Sequence, residues 1–135
     1  MAVRNVEWDG FVFRSQTEAR TAILFSQLGL EFLYENETYM LAHGKRRFGY
    51  LPDFELHNGI NRFVEIKNMG STPPTLEECR KAALLAEQNA YGWPVTILYG
   101  PVGNNPLTNA RHGSGRTYWP NGDITMPDLL TECPV

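Results

Sequence analysis

The sequence predicts an α/β fold in the order helix, three antiparallel strands, helix and strand. Two segments, 15–28 and 75–90, start with a hydroxyl residue followed three positions later by glutamate, which is typical of helix starts. Hydrophobic runs bounded by turn residues lie between and after them and favour strands. The length of 135 residues and the hydrophobic share of 42% predict one domain (1–135), with a core at about 11–100 and a C-terminal extension, 101–135.

The first helix has start and stop signals and an apolar stripe. Ser15 is the predicted N-cap, and Glu18 stands where a capping box needs it. Ala22 and Phe25 share a helix face. Gly29 ends the helix as a C-cap glycine does.

Three strands are expected to follow this helix. Residues 31–41 are predicted as the first strand, and a polar, basic turn lies at 43–47. Residues 48–57 and 61–67 are predicted to form a hairpin around an Asn-Gly turn.

The second helix starts at Thr75, with Glu78 in the capping-box position. Residues 94–99 are predicted as a short buried strand. The extension after it is expected to be a loop followed by a hairpin that turns at Asn121-Gly122.

Charge and cysteine content limit the function classes. The net charge is −3, which disfavours binding to nucleic acid through overall positive charge but permits a local basic surface. Cys79 and Cys133 do not match a zinc-ligand pattern. The sequence does not decide whether they form a disulfide with each other. With no secretory signal and no membrane-spanning run, we expect a cytoplasmic protein with no membrane partner.

Acidic residues of the central hairpin are predicted to share one face. Side chains alternate along a strand, so Glu65 and Lys67 point to the same side. Asp53 points to that side if the hairpin is in the right register. The opposite, core-facing side is then formed by Phe54, Leu56, Val64 and Ile66.

The register of this hairpin depends on its loop. A two-residue turn at Asn58-Gly59 would pair Asp53 with Val64, on the wrong face. A three-residue loop, 58–60, or a bulge would pair Asp53 with Glu65. We therefore predict an odd loop or a bulge.

This set of groups suits metal-assisted cleavage of a phosphodiester. Hard cations such as Mg²⁺ or Mn²⁺ prefer carboxylate and carbonyl oxygens, which Asp53, Glu65 and the Ile66 backbone carbonyl supply. Such an ion activates water and neutralises developing charge. Lys67 is predicted to stabilise the transition state or to orient the attacking water.

Pro52-Asp53, a gap of eleven residues and then Glu65-Ile66-Lys67 together resemble the signature of the PD-(D/E)XK nuclease superfamily. That superfamily includes restriction endonucleases, Holliday-junction resolvases and recombination exonucleases. The resemblance covers about residues 11–100. It implies a restriction-endonuclease-like core and Mg²⁺- or Mn²⁺-dependent hydrolysis, with DNA as the expected substrate.

The resemblance also assigns a role to the first helix. The segment around Glu18 is similar to the N-terminal helix of small nucleases from phages and their hosts, in which a glutamate completes the site. Glu18 is then expected to hold a second ion, or a water bound to the first. A purely structural role in the capping box is the alternative. Gln88 is followed by Tyr91 at a spacing that departs from the Gln-x-x-x-Tyr motif of recombination exonucleases.

Basic residues near these motifs are candidates for contact with nucleic acid. Arg14 and Arg20 flank Glu18, and Lys45, Arg46 and Arg47 occupy the polar turn. Each is predicted either to contact the phosphate backbone or to be solvated surface charge.

Two functions follow from the sequence. The first is a Mg²⁺-dependent deoxyribonuclease that acts in the cytoplasm (the host cytoplasm if phage-encoded), for which a symmetric homodimer is the simplest way to cut both strands. The second is a non-catalytic nucleic-acid-binding or protein-interaction module on the same fold, as a subunit or inhibitor of a larger nucleic-acid machine.

Overall fold

The structure is a computed structural model that describes residues 6–67, 74–98 and 115–125. The described elements are, in chain order, β1 Val6–Trp8, β2 Phe11–Phe13, α1 Gln16–Gln27, β3 Phe32–Tyr34, β4 Tyr39–His43, β5 Arg46–Tyr50, β6 Phe54–Leu56, β7 Arg62–Ile66, α2 Leu76–Gln88, β8 Val95–Leu98, β9 Gly115–Tyr118 and β10 Ile124–Thr125.

A mixed sheet in the order β10-β9-β8-β7-β6-β3 runs through the molecule. Strands β3, β6 and β7 are antiparallel, β8 is parallel to β7, and β9 and β10 continue antiparallel. The predicted α/β class is therefore confirmed. The predicted order also holds, with α1, the antiparallel strands β3, β6 and β7, then α2, then β8.

Two of the predicted strands are each divided in two. The segment 31–41 contains β3 and β4, and the segment 48–57 contains β5 and β6. Glu35, at a φ of 44°, turns the chain after β3, and Pro52, which lacks an N–H to donate to a ladder, lies between β5 and β6. Strands β4 and β5 instead pair with each other in a separate two-stranded sheet, the β4–β5 hairpin.

An additional hairpin, β1–β2, precedes α1 and was not predicted. It turns at Asp9-Gly10, where both residues have positive φ, as a two-residue turn of this kind requires. A small hairpin sheet of this kind is stable only when packed on other elements, and β1 and β2 both contact α1.

The first helix begins and ends as predicted, whereas α2 begins as predicted but ends at Gln88, two residues before the predicted end at residue 90. Ser15 caps α1 through the Glu18 amide, and Gly29, at a φ of 73°, closes it in a Schellman motif with the Leu30 amide bonded to the Phe25 carbonyl. Thr75 and Glu78 form a complete capping box on α2. The Glu18 carboxylate does not complete such a box, since it bonds to a tyrosine of β3.

Hydrophobic clusters cover the sheet on both faces. On the face of α1 and the β1–β2 hairpin, the buried residues are Phe13, Ala19, Ala22, Phe25, Phe54, Leu56, Val64, Ile66 and Leu98. On the face of α2 and the β4–β5 hairpin, they are Leu41, Phe63, Ala82, Leu85, Ala86, Val95, Ile97 and Tyr118. The predicted inward set from β6 and β7 is confirmed.

The C-terminal hairpin is confirmed by the pairing of β9 with β10 around a turn that contains Asn121-Gly122. The predicted loop and the chain end, 101–114 and 126–135, lie outside the described residues, as does Cys133. Within the described residues, neither helix has the length and the apolar run needed to cross a bilayer.

Candidate active site

The register of the β6–β7 hairpin brings the two central acids together. Phe54 pairs with Val64, so continuing the ladder by one residue places Asp53 opposite Glu65. The predicted odd register is thus confirmed. The loop that connects β6 to β7 produces this register with three residues at positive φ, namely Asn58, Gly59 and Asn61.

Reciprocal hydrogen bonds link Asp53 to β7. The Asp53 amide donates to Glu65 Oε1 at 2.9 Å, and the Ile66 amide donates to Asp53 Oδ2 at 2.8 Å. Asp53 is 3% exposed and Glu65 is 8% exposed. The sequence predicted an open cleft here. The acids are instead buried, because the β4–β5 hairpin and α2 cover this face.

Arg14 lies among three carboxylates. Its Nη2 is 2.8 Å from Asp53 Oδ1 and 3.8 Å from Glu18 Oε2, and its Nε is 2.8 Å from Glu35 Oε2. Predicted as a contact to nucleic acid, Arg14 in this structure neutralises the acids. Its side chain is nevertheless 54% exposed.

Tyr34 connects Glu18 to this cluster. Its hydroxyl donates to Glu18 Oε1 and accepts from the Arg14 amide at 3.1 Å. Glu18 is 7% exposed. The capping interaction of Ser15 thus sets the start of α1, while the Glu18 carboxylate is available to the site.

Lys67 extends the site from the end of β7. Its amide donates to the Leu98 carbonyl at 2.8 Å, which fixes the backbone next to β8. Its ammonium forms an ion pair with Glu78 at the start of α2. Because Glu78 also accepts from the Thr75 amide, the capping box of α2 positions the partner of Lys67.

Burial raises the pKa of both central carboxyls. For Asp53 the charge of Glu18 adds to this effect and outweighs the Ile66 amide and the cations Arg14 and Lys67. For Glu65 the charge of Asp53 adds to burial, against hydrogen bonds from Asp53 and Tyr50. Burial also raises the pKa of the Tyr50 hydroxyl well above its usual value, so Tyr50 donates to Glu65. Two negative charges here are therefore costly without a cation.

Glu78 behaves differently because it is closer to solvent. Burial opposes its charged form, but the hydrogen bond from Lys67 and the bonds at Thr75 outweigh burial and lower its pKa. The Glu78 carboxyl is therefore ionised at neutral pH.

The remaining predicted basic residues lie away from the acids. Arg20 is exposed on α1. Lys45, Arg46 and Arg47 are exposed at the tip of the β4–β5 hairpin. The structure therefore separates Arg14, at the acids, from the other four predicted cations.

Four residues of the site were not predicted as such: Tyr34, Glu35, Tyr50 and Glu78. From the sequence, Glu78 was identified only as a capping residue. Tyr34 and Tyr50 have the pattern of ordinary strand residues. Partly buried tyrosines need a hydrogen-bond partner, and this was the one available signal.

In the described ranges, no three histidine, cysteine or acidic side chains are grouped closely enough to hold a metal ion. Asp53 and Glu65 are adjacent, and Arg14 stands between Asp53 and Glu18. Comparison of the chain with family models, with curated proteins and with solved structures found no match.

Proposed function

We propose that the protein is a metal-dependent nuclease of the PD-(D/E)XK type, with a restriction-endonuclease-like core, that hydrolyses phosphodiester bonds in DNA. One observation carries this proposal. The Asp53 backbone amide donates directly to the carboxylate of Glu65, which lies opposite it, and Lys67 shares the strand face of Glu65. Two adjacent buried acids with raised pKa values beside a lysine are a combination that is concentrated at functional sites.

The oxygen chemistry of these donors suits a hard divalent cation, and Arg14, which stands between Asp53 and Glu18, would have to move for them to close on an ion. Asp53, Glu65, Glu18 and the Ile66 carbonyl would hold Mg²⁺ or Mn²⁺, both of which prefer oxygen ligands. When bound, the ion supplies an activated water and neutralises charge on the phosphate. The site already favours a cation, because the Arg14 guanidinium bonds to Asp53 and approaches Glu18.

Arg14 has room to leave this position. It is half exposed, and its Nε stays bonded to Glu35, which lies outside the proposed ligand set. Arg14 released from Asp53 would retain a positive charge near the substrate phosphate. Arginine is well suited to that contact because its fork of donors matches phosphate oxygens.

Lys67 is the proposed charge-stabilising group. Its ammonium is a quarter exposed and is held by Glu78, so it faces both the acids and solvent. In this place it stabilises the additional negative charge that develops on a phosphate as water attacks. The Ile66 amide and the Tyr50 hydroxyl position the acids.

The test is cleavage of duplex, single-stranded and branched DNA, and of matched RNA, with Mg²⁺ or Mn²⁺. We expect Lys67→Ala to lower the cleavage rate by roughly 10²–10³-fold while Mn²⁺ binding is retained. The matched control is Arg80→Ala, which removes an exposed cation from α2 that pairs with Glu77. No cleavage of any substrate with either ion would reject the enzyme proposal.

The alternative is a non-catalytic nucleic-acid-binding or protein-interaction module. It is favoured by the observation that Arg14 already neutralises Asp53, and that no complete ligand group is formed within the described ranges. If Asp53→Ala leaves the function of the protein unchanged and a stable partner copurifies with it, the result would support this module over the enzyme.

Partners and location belong to the same proposal. DNA is the proposed substrate, and the cytoplasm is the proposed location. A symmetric homodimer would place one such site on each strand of a duplex. The molar mass in solution, measured by light scattering with and without duplex DNA, tests the dimer.

A further inference from the structure

We propose that the β4–β5 hairpin and the first half of α2 form a path for a nucleic-acid strand leading to Asp53 and Glu65, with Arg46 and Lys81 as its phosphate contacts. The path runs over the surface along the line where these two elements meet. That the ligand is a nucleic acid rests on the proposed function. The positions of the cations are independent of it.

The two cations come together across one aromatic ring. Arg46 Cζ lies 5.7 Å from the centroid of the Phe48 ring, and Lys81 Nζ lies 5.8 Å from the same centroid. One cation comes from the hairpin and the other from the helix. Phe48 therefore brings both charged groups to one aromatic ring, and a phosphate that approaches this ring meets both cations.

These cations lie at a surface where the described residues supply no acidic partner. Within the part of the chain that the structure describes, Arg46, Lys81, Lys45 and Arg47 have no carboxylate at ion-pair distance. The protein as a whole has a net charge of −3. A local group of uncompensated cations on an acidic protein attracts a polyanion to that one surface.

The hairpin leads from these cations to the acids. Strand β5 begins at Arg46 and ends at Tyr50, whose hydroxyl bonds to Glu65. Four residues of strand span about 13 Å. This is about the rise of four stacked nucleotides along one strand. Lys81 lies three residues from Glu78, the partner of Lys67, or about 4.5 Å along the helix axis.

The hairpin is held at a defined angle on α2. The Ala42 amide donates to Gln88 Oε1 at 2.8 Å, and Gln88 Nε2 donates to the Ala42 carbonyl at 2.7 Å. Leu41 is buried against α2 on the same strand. The cations are thus carried on a fixed surface, and Gln88 is a positioning residue.

The test measures binding without cleavage. A fluorescein-labelled single strand and its duplex are titrated with protein in EDTA over a range of NaCl concentrations. For Arg46→Ala combined with Lys81→Ala, we expect binding to weaken at least tenfold. The slope of log K against log salt should fall by about 0.7 to 0.9 for each cation removed.

Two control variants distinguish charge from structure. Arg46→Lys with native Lys81 keeps both charges and should retain the native slope. Arg80→Ala removes a cation one residue from Lys81 that is paired with Glu77, and it should bind like the native protein. A native slope in the Arg46→Ala, Lys81→Ala protein would overturn the path.

Failure of the path and failure of the proposed function give different results. If the native protein cuts no DNA but the double variant loses salt-dependent binding, the path holds and the nuclease proposal fails. If the native protein cuts DNA and the double variant binds normally, the path fails alone. If only poly-glutamate binding depends on Arg46 and Lys81, the surface is a site for an acidic protein, and the path is overturned.

Discussion

Arg14 is the residue on which the charge balance of the site depends. It contacts Asp53 and Glu35 directly and approaches Glu18, so one cation serves three acids. Buried acids without such a partner take up a proton instead, and removing one member of a buried pair is strongly destabilising. The site is therefore built to hold positive charge.

The raised pKa of Glu65 predicts the pH dependence of stability without metal. The folded protein keeps a proton on this carboxyl that the unfolded chain has lost above its usual pKa, so the free energy of unfolding falls as pH rises. We expect Glu65→Gln to flatten this slope. At about pH 8 its free energy of unfolding should exceed that of the native protein by on the order of 2 kcal/mol. Chemical denaturation in EDTA from about pH 5 to 8 measures it.

The matched control is Glu87→Gln, which neutralises an exposed acid on α2. It should keep the native slope. Equal slopes for the native protein and Glu65→Gln would show that this carboxyl titrates normally in the folded state.

Among the elements, the β4–β5 hairpin has the most influence on the site. It covers the face of the sheet that carries the acids, brings Tyr50 to Glu65 and supplies the exposed cations. Among the described strands it pairs with none of the main sheet, so side-chain contacts hold it in place. They include the packing of Leu41, the hydrogen bond from Tyr39 to Glu55 and the two hydrogen bonds between Gln88 and Ala42.

Gln88→Ala is expected to loosen the hairpin without unfolding the protein. Loss of two exposed hydrogen bonds should lower the free energy of unfolding by about 1 kcal/mol. Amide hydrogen exchange should accelerate at Ala42 and along β4. Gln88→Glu still accepts from the Ala42 amide but cannot donate to its carbonyl, so an intermediate effect is expected. Unchanged exchange in both variants would exclude this role.

At the scale of the whole molecule, the two hydrophobic clusters enclose the sheet on both faces. The site acids Asp53 and Glu65 lie at one end of β6 and β7, where α1, the β4–β5 hairpin and α2 meet. Each of these elements contributes a polar group there: Glu18, Tyr50 and Glu78. Such a site exists only in the folded chain, so an ion bound there stabilises the whole fold.

We therefore expect Mn²⁺ to raise the melting temperature. At 100 times its dissociation constant, an ion that binds only the folded state adds about 2.7 kcal/mol of stability. Asp53→Asn should abolish this increase, and Glu77→Gln, which neutralises an exposed acid on α2, should preserve it. Differential scanning calorimetry of each variant with and without Mn²⁺ gives the comparison. An equal increase in Asp53→Asn would place the ion elsewhere.

Much of the site was predictable from local patterns. Strand alternation placed Glu65 and Lys67 on one face, and the requirement that Asp53 share this face predicted the register that sets Asp53 opposite Glu65. The caps of both helices followed from residues three apart. These features depend on contacts between residues close in sequence or joined by a short turn, so a single sequence contains the information.

Tertiary structure alone decided which cations meet the acids. Arg14 and Asp53 are 39 residues apart, and Gln88 and Ala42 are 46 apart, so neither pair has a local signature. The division of two predicted strands was also decided by tertiary structure, because a hydrophobic run in the sequence does not show which sheet it will join. The sequence by itself determined the acids, their register and the helix ends through short-range geometry. Packing across the sheet decided the neutralisation by Arg14 and the place of the hairpin, because those contacts form only when distant segments bury their apolar faces together.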